Sequence, residues 1–232
     1  VETATLESRN LTAGLEVNFA DEDWDEPEDT PGYRGIHWLN SSEAVLIYDK
    51  YDIWSFPTSG GKAICLTEGE GRAEKYQFRI RNLDPEKSYL KTGDRVLLTA
   101  YHDLKKHTSL FSMEAGTPGL TPIIEEEKKY SLLAKAKDAD KVLYTRQSYT
   151  EFPDLWVSDL KFKKREKISD VNPQTEEFAW GESELVEWTS IDGKPIQGIL
   201  IKPGNYEPGK KYPVLVYYYR FFTNRLYDFS AV

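Results

Sequence analysis

The stretch "AVLIYDKYDIWSFPTSGGKAICLTEG", residues 44–69, decides how this chain is read. It holds three short runs in which apolar and polar residues alternate: "AVLIYD", "DIWSFP" and "KAICLT". A period of two places one face of each run inward, and β-branched and aromatic side chains fit that pleated surface. "TSGG" between the last two runs supplies turn residues. "YRGIHWLN" (33–40) supplies a strand before them, so the region predicts four short antiparallel strands.

The pattern recurs. "RVLLTAYHD" (95–103) matches the "AVLIYD" strand, "TSLFSMEAG" (108–116) matches "DIWSFPTSG", and "LTPIIEE" stands where "KAICLTE" stood. A third round reads "KVLYTRQSY" (141–149), "DLWVSDL" (154–160) and "REKISD" (165–170). Val45, Val96 and Val142 are equivalent positions, at intervals of 51 and 46 residues. Four strands at such a period predict β-propeller blades, although an all-β sandwich shares the alternation. Three blades do not close a ring and would leave strand edges open. Further blades, preceding Val1 or on another chain, are therefore expected to complete it.

Composition narrows the classes. Aromatic residues make up 13% of the 232, which favours strands. The formal net charge of −9 repels a phosphate backbone, so nucleic-acid binding is not expected. "KFKKREK" (161–167) is read as a solvated strand end rather than a basic patch. Cys65 is the only cysteine, which excludes an intrachain disulfide and a multi-cysteine metal site; it reads as a buried thiol. No apolar run is long enough to cross a bilayer. "VETATLESRNLTAG" is neither a signal nor a transit peptide, so localisation stays open.

Several constellations are weighed against structural readings. "DEDWDEPED" (21–29) has seven acidic residues in nine, with Asp21, Asp23 and Asp25 spaced like the first ligands of a calcium loop. Glu26 stands where that loop needs Gly and Gly32 where it needs Glu, so a solvated, mobile loop is expected. "EEEKK" (125–129) reads as a solvated strand end, and "SGGK" (59–62) as a hairpin turn too short for a phosphate loop. No H-E-x-x-H motif or cysteine–histidine cluster is present, so neither a metal nor a cofactor is predicted. His37, His102 and His107 fall in the blade region and read as loop or packing residues.

After the third round the texture changes. "NPQTEEFAWG" breaks the repeat, and "ELVEWTSIDGKPIQGILIKP" (184–203) reads as a hairpin turning at Asp192–Gly193. "YPVLVYYY" (212–219) follows as a dense apolar strand. This junction resembles that of the prolyl oligopeptidase family of serine peptidases, whose W-x-S-x-D-G-x-x-I-x-G hairpin is matched by Trp188, Ser190, Asp192, Gly193, Ile196 and Gly198. A Lys-Pro, a Tyr-Glu-Pro loop and "KKYPVLV" continue the resemblance in order, and "LIYDKYDIW" and "YTEFPDLWVSDL" also look like that family's blades.

The resemblance implies a mainly β chain: an acidic entry segment (1–32), a partial β-propeller of about three four-stranded blades (33–175), and the junction with the truncated start of an α/β-hydrolase domain (176–232). It implies hydrolysis of short peptides through a serine nucleophile in the complete protein, with a propeller that restricts access. The nucleophile's G-x-S-x-G elbow is missing here; "GESEL" (181–185) lacks the second Gly. The family's catalytic Asp and His, which follow the nucleophile, are expected beyond Val232, so the chain reads as a fragment, inactive alone. Glu176 and Glu177 do not match the acidic pair that captures the substrate amino terminus in the dipeptidyl-peptidase branch. One site residue is implied: Tyr219, just after the "YPVLV" strand, as an oxyanion-hole donor. The other reading is that Tyr217, Tyr218 and Tyr219 pack the strand. A non-enzymatic propeller that binds a protein or glycan partner is the alternative function.

Overall fold

The computed structural model describes residues 4–84, 86–219 and 221–230. They form two compact units: one holds residues up to Ala100 together with Phe111–Thr121, the other Tyr101–Leu110 and the residues from Pro122 onward.

In the first unit β1 (His37–Leu39), β2 (Ala44–Tyr48), β3 (Ile53–Pro57) and β4 (Ile64–Cys65) form a four-stranded antiparallel sheet in chain order. The alternation seen in the sequence sets the register: Val45 faces Phe56, and Leu46 faces Ser55. Gly60 at φ 97° takes the left-handed turn between β3 and β4 that "TSGG" predicts. A short helix, α1 (Glu70–Glu74), leads into β5 (Tyr76–Ile80), whose alternate residues Tyr76, Phe78 and Ile80 are buried. β6 (Arg95–His102) and β7 (Thr108–Glu114) form a hairpin whose tip belongs to the second unit, and β8 (Thr121–Ile124) pairs with β7. Leu46, Tyr48, Ile53, Phe78, Leu98 and Phe111 are central in the unit's core. Phe78 and Phe111 meet edge to face at 5.1 Å, a favourable aromatic geometry.

In the second unit β9 (Lys129–Lys135), β10 (Val142–Gln147), β11 (Leu155–Ser158) and β12 (Glu166–Lys167) pair antiparallel in order. Leu110, Tyr130, Leu132, Val142 and Tyr144 are buried in it. A hairpin follows, β13 (Glu182–Thr189) and β14 (Pro195–Lys202), as the Asp192–Gly193 turn predicts.

The first and third rounds of the sequence pattern share a device at the strand ends. Asp52, just before β3, accepts a hydrogen bond from Thr67 Oγ1 at 2.6 Å, and that hydroxyl accepts from Ile53 N at 3.2 Å. Asp154, just before β11, accepts from Ser169 Oγ at 2.5 Å, and that hydroxyl accepts from Leu155 N at 2.9 Å. The same carboxylate–hydroxyl latch ties the start of the third strand to the chain leaving the fourth. A related device turns the strand pairs: Asp49 Oδ1 accepts from Tyr51 N and Asp52 N, while His102 Nδ1 accepts from Leu104 N and Lys105 N.

Three expectations are corrected. β5 and β9 carry clear alternation yet were not among the expected strands; each precedes a pair that the sequence does predict, β6–β7 and β10–β11. "REKISD" yields only Glu166–Lys167 as strand, because Ser169 is drawn into the Asp154 latch. "YPVLVYYY" is not a strand: residues 211–219 are irregular chain outside any sheet, and Val214, Leu215 and Val216 are 78%, 93% and 76% exposed. Apolar β-formers still need a neighbouring strand to take their N–H and C=O groups.

Candidate functional site

The junction hairpin shows what its motif builds. Ser190 N donates to Lys194 O at 2.8 Å, and Lys194 N returns a bond to Ser190 Oγ at 3.0 Å. Gly193 adopts φ 81°, a left-handed conformation that closes the loop. The Ser190 hydroxyl and the Lys194 ammonium hold the Asp192 carboxyl below its usual range. Gly198 faces Val186, and the Trp188 ring lies across it so closely that a Cβ there would stand 2.9 Å from the ring. The spacing of Trp188, Ser190, Asp192, Gly193 and Gly198 thus encodes a turn and a ring seated on a glycine.

Ser183, at the centre of "GESEL", lies within β13 and donates to Leu226 O at 3.0 Å. A residue in a regular strand has none of the exposed geometry a nucleophile elbow provides. The three histidines lie in or beside strands. His37 sits in β1, edge-on to Tyr48 at 6.3 Å, and burial lowers its pKa. His102 and His107 bracket the β6–β7 turn, with ring centroids 5.2 Å apart; burial, then nearby Lys105, lowers the His107 pKa. Among the described residues, no group of three or more His, Cys, Asp or Glu is arranged to hold a metal ion. No helix there is long and apolar enough to cross a membrane.

Tyr217, Tyr218 and Tyr219 are 78%, 86% and 68% exposed, so packing within a sheet does not describe them here. Tyr217 stacks on Phe222 at 5.1 Å and 17°, and Tyr219 stands 6.4 Å from the same ring at 45°. Phe222 opens a 3-10 turn, Phe222–Arg225. Glu176 and Glu177 lie apart in another, Pro173–Glu177, with exposed side chains.

Charge clusters missed by the sequence reading lie elsewhere. "EEEKK" is not merely solvated: Glu126 accepts from Tyr130 Oη at 2.5 Å and from Arg165 at 2.8 Å, Lys128 pairs with Glu151, and Lys129 with Asp228. Glu151 also takes Arg146 at 2.6 Å, whose guanidinium lies 4.1 Å over the Trp156 ring. Burial pushes the Tyr130 pKa up, and the adjacent Glu126 adds to the shift. The acidic loop at 21–29 is tied down: Glu22 pairs with Arg72 at 2.6 Å, Asp23 with Lys50 at 2.8 Å, and Tyr33 Oη accepts from Glu22 N at 2.6 Å. "KFKKREK", expected as a solvated strand end, is a turn leading into β12 with Phe162 buried; it wraps around Asp159, which accepts from the N–H groups of Lys161, Lys163 and Lys164. Cys65 is half-buried beside Thr67, and burial raises its pKa. No alternation marks such pairs; acid–base partners far apart in sequence leave no local signal.

No family model matches the chain. It is 24% identical over 168 residues to dipeptidyl peptidase 4 of Trichophyton tonsurans, covering 70% of this chain and 20% of that protein. It is 26% identical over 167 residues to a probable dipeptidyl peptidase 4 of Emericella nidulans, with the same coverage of 70% and 20%. The matched stretch therefore spans about a fifth of the length of these curated relatives. Among solved structures, Porphyromonas gingivalis dipeptidyl peptidase 4 superposes with a TM-score of 0.55 at 12% identity, over 77% of this chain and 24% of that one. The AtxE2 isopeptidase superposes with a TM-score of 0.51 at 12% identity, over 77% and 26%. At such identities the superpositions speak for the fold. In sequence and fold, over part of its length and at low identity, the chain is similar to peptidases of the prolyl oligopeptidase family.

Proposed function

We propose that this chain is the part of a serine peptidase of the prolyl oligopeptidase type that joins a β-propeller to an α/β-hydrolase domain, and that the complete protein hydrolyses short peptides. The observation that carries the reading is the order of the parts. The strands β1 to β12 come first along the chain, and the W-x-S-x-D-G-x-x-I-x-G hairpin, β13–β14, comes after them. We take β1–β4, β5–β8 and β9–β12 as three blades within 33–175, after the acidic segment 1–32, and 176–232 as the junction and the start of the hydrolase domain. The relatives' names, dipeptidyl peptidase 4, support a peptide substrate.

In this reading Tyr219 is the oxyanion donor. Its phenol is exposed and near the turn that follows the "YPVLV" run, where it can point at a developing negative charge. Such a donor stabilises the tetrahedral intermediate more than the ground-state carbonyl. The serine nucleophile, its base and the orienting acid come from elsewhere in the complete protein, and none of the catalytic steps needs a metal.

The test compares the 232-residue chain with the complete protein, using a panel of chromogenic dipeptides and a serine-directed fluorophosphonate. The complete protein is expected to turn over dipeptides and to be labelled stoichiometrically; the chain alone is expected to do neither. Labelling of the chain itself, or an inert complete protein, would overturn the reading.

A further inference from the structure

The chain beyond the exposed tyrosines is fastened to one end of the β9–β10 pair. Lys129 and Gln147 face each other across these strands. Consecutive residues engage both members of that pair: Asp228 forms an ion pair with Lys129, and Phe229 N donates to Gln147 Oε1 at 3.0 Å. The Phe229 ring enters an aromatic socket, stacked on Trp180 at 5.0 Å and 18° and edge-on to Phe152 at 5.2 Å. Trp180 is itself held by a bond from its Nε1 to Tyr149 O at 3.0 Å. Three residues upstream of Phe229, Leu226 is only 5% exposed and its carbonyl accepts from Ser183.

These anchors connect to the tyrosines through a compact turn. Asp228 N bonds to Arg225 O at 2.9 Å and Leu226 N to Thr223 O at 3.2 Å, while the Arg225 guanidinium covers the Phe222 ring at 4.8 Å. Phe222 is the ring against which Tyr217 stacks and to which Tyr219 is near. A continuous path of contacts therefore runs from the β9–β10 end to the two phenols.

We propose that residues 221–229 form a clasp that positions Tyr217 and Tyr219, with Asp228 and Phe229 as its positioning residues and Lys129, Gln147, Trp180 and Phe152 as its seat. The proposal deepens the proposed function, because it rests on Tyr219 being the oxyanion donor. An oxyanion donor acts through preorganisation, and a displacement of about 1 Å is enough to cost catalysis. Tyrosines as exposed as these have little else to hold them: the clasp supplies in the chain what burial supplies elsewhere. It also makes the donor's position depend on the β9–β12 set, so that strain there is transmitted to the site.

The test uses the 232-residue chain, read by hydrogen exchange over 222–229 and by fluorine NMR with 3-fluorotyrosine at position 219. Phe229→Ala or Asp228→Asn is expected to speed exchange in this segment by about tenfold, since each removes a part-buried contact. The fluorine signal is expected to move toward that of a free tyrosine. Phe229→Trp, and the charge swap of Lys129→Asp with Asp228→Lys, are expected to restore both. Unchanged exchange would refute the clasp; faster exchange with an unmoved fluorine signal would refute its positioning role. Failure of Tyr219 as the donor is read separately, by normal turnover of Tyr219→Phe in the complete protein.

Discussion

Replacing Asp52 with alanine is expected to destabilise the first unit by about 3 kcal/mol. The residue is 2% exposed and accepts three hydrogen bonds: from Thr67 Oγ1 at 2.6 Å, Gly71 N at 2.9 Å and Arg72 N at 3.1 Å. The last two are first-turn amides of α1, whose N-cap residue Gly69 supplies no side-chain acceptor, so Asp52 caps the helix from a distant part of the chain. Each buried donor left unpaired costs about 1–3 kcal/mol, which sums to more than the net expected. Two effects reduce it. The Thr67 hydroxyl can rotate to another acceptor, and burial, aided by the nearby Asp49 carboxylate, pushes the Asp52 pKa up against the Thr67 bond. The ionised form is thus already disfavoured, and its removal relieves part of that penalty. Urea unfolding followed by tryptophan fluorescence gives the change. Thr67→Val alone is expected to cost about 1 kcal/mol, and the double variant less than the sum, because both residues serve one network. A loss below about 1 kcal/mol for Asp52→Ala, or strict additivity, would show that the latch contributes little.

The two latches should respond oppositely to acid. Burial raises the pKa of Asp154, but bonds from Ser169, Val171 and Lys167 outweigh it and hold the carboxyl below its ordinary 3.8. Its contribution is therefore complete above that value and lost as pH falls through the depressed folded pKa. For Asp52 the folded pKa is raised, so its contribution is largest below the ordinary value and declines as pH rises through the folded one. Comparing each aspartate's alanine variant with the unaltered chain over an acid titration shows whether the two slopes differ in sign. In the complete protein, Tyr219→Phe is expected to lower turnover by about 10²–10³-fold with little change in substrate affinity, as steady-state kinetics will show. An equal loss of thermal stability would mark the phenol as structural instead. The exposed run 214–219 is expected to drive self-association of the isolated chain, since exposed β-forming residues outside any sheet can pair with another copy. Val216→Lys should shift sedimentation toward monomer, and an unaltered chain that sediments as a monomer at high concentration would remove the premise.

Much of the β architecture was legible because its signals are local. Val45, Val96 and Val142 lie in β2, β6 and β10, and all three are buried. The alternation around them is a property of neighbouring residues, as is the turn chemistry of "TSGG" and Asp192–Gly193. β5 and β9 carry the same local signal, with alternate residues buried in β5 and at the start of β9. The site was legible more thinly. Tyr219 was singled out by resemblance, and nothing in the residues around it announced the ring of Phe222 or the seat of Phe229.

The sequence by itself determined the strand repeats, the hairpin turn and the absence of an elbow motif, because periodicity and turn propensity act within a few residues. Tertiary structure alone decided which charges are paired and which apolar residues are covered. Glu22 finds Arg72 and Lys129 finds Asp228 across long stretches of chain, while Val214, Leu215 and Val216, the most strand-like residues of all by composition, find no partner strand and stay exposed. Propensity describes what a residue tolerates; pairing and burial require a second surface, and only the folded chain supplies it.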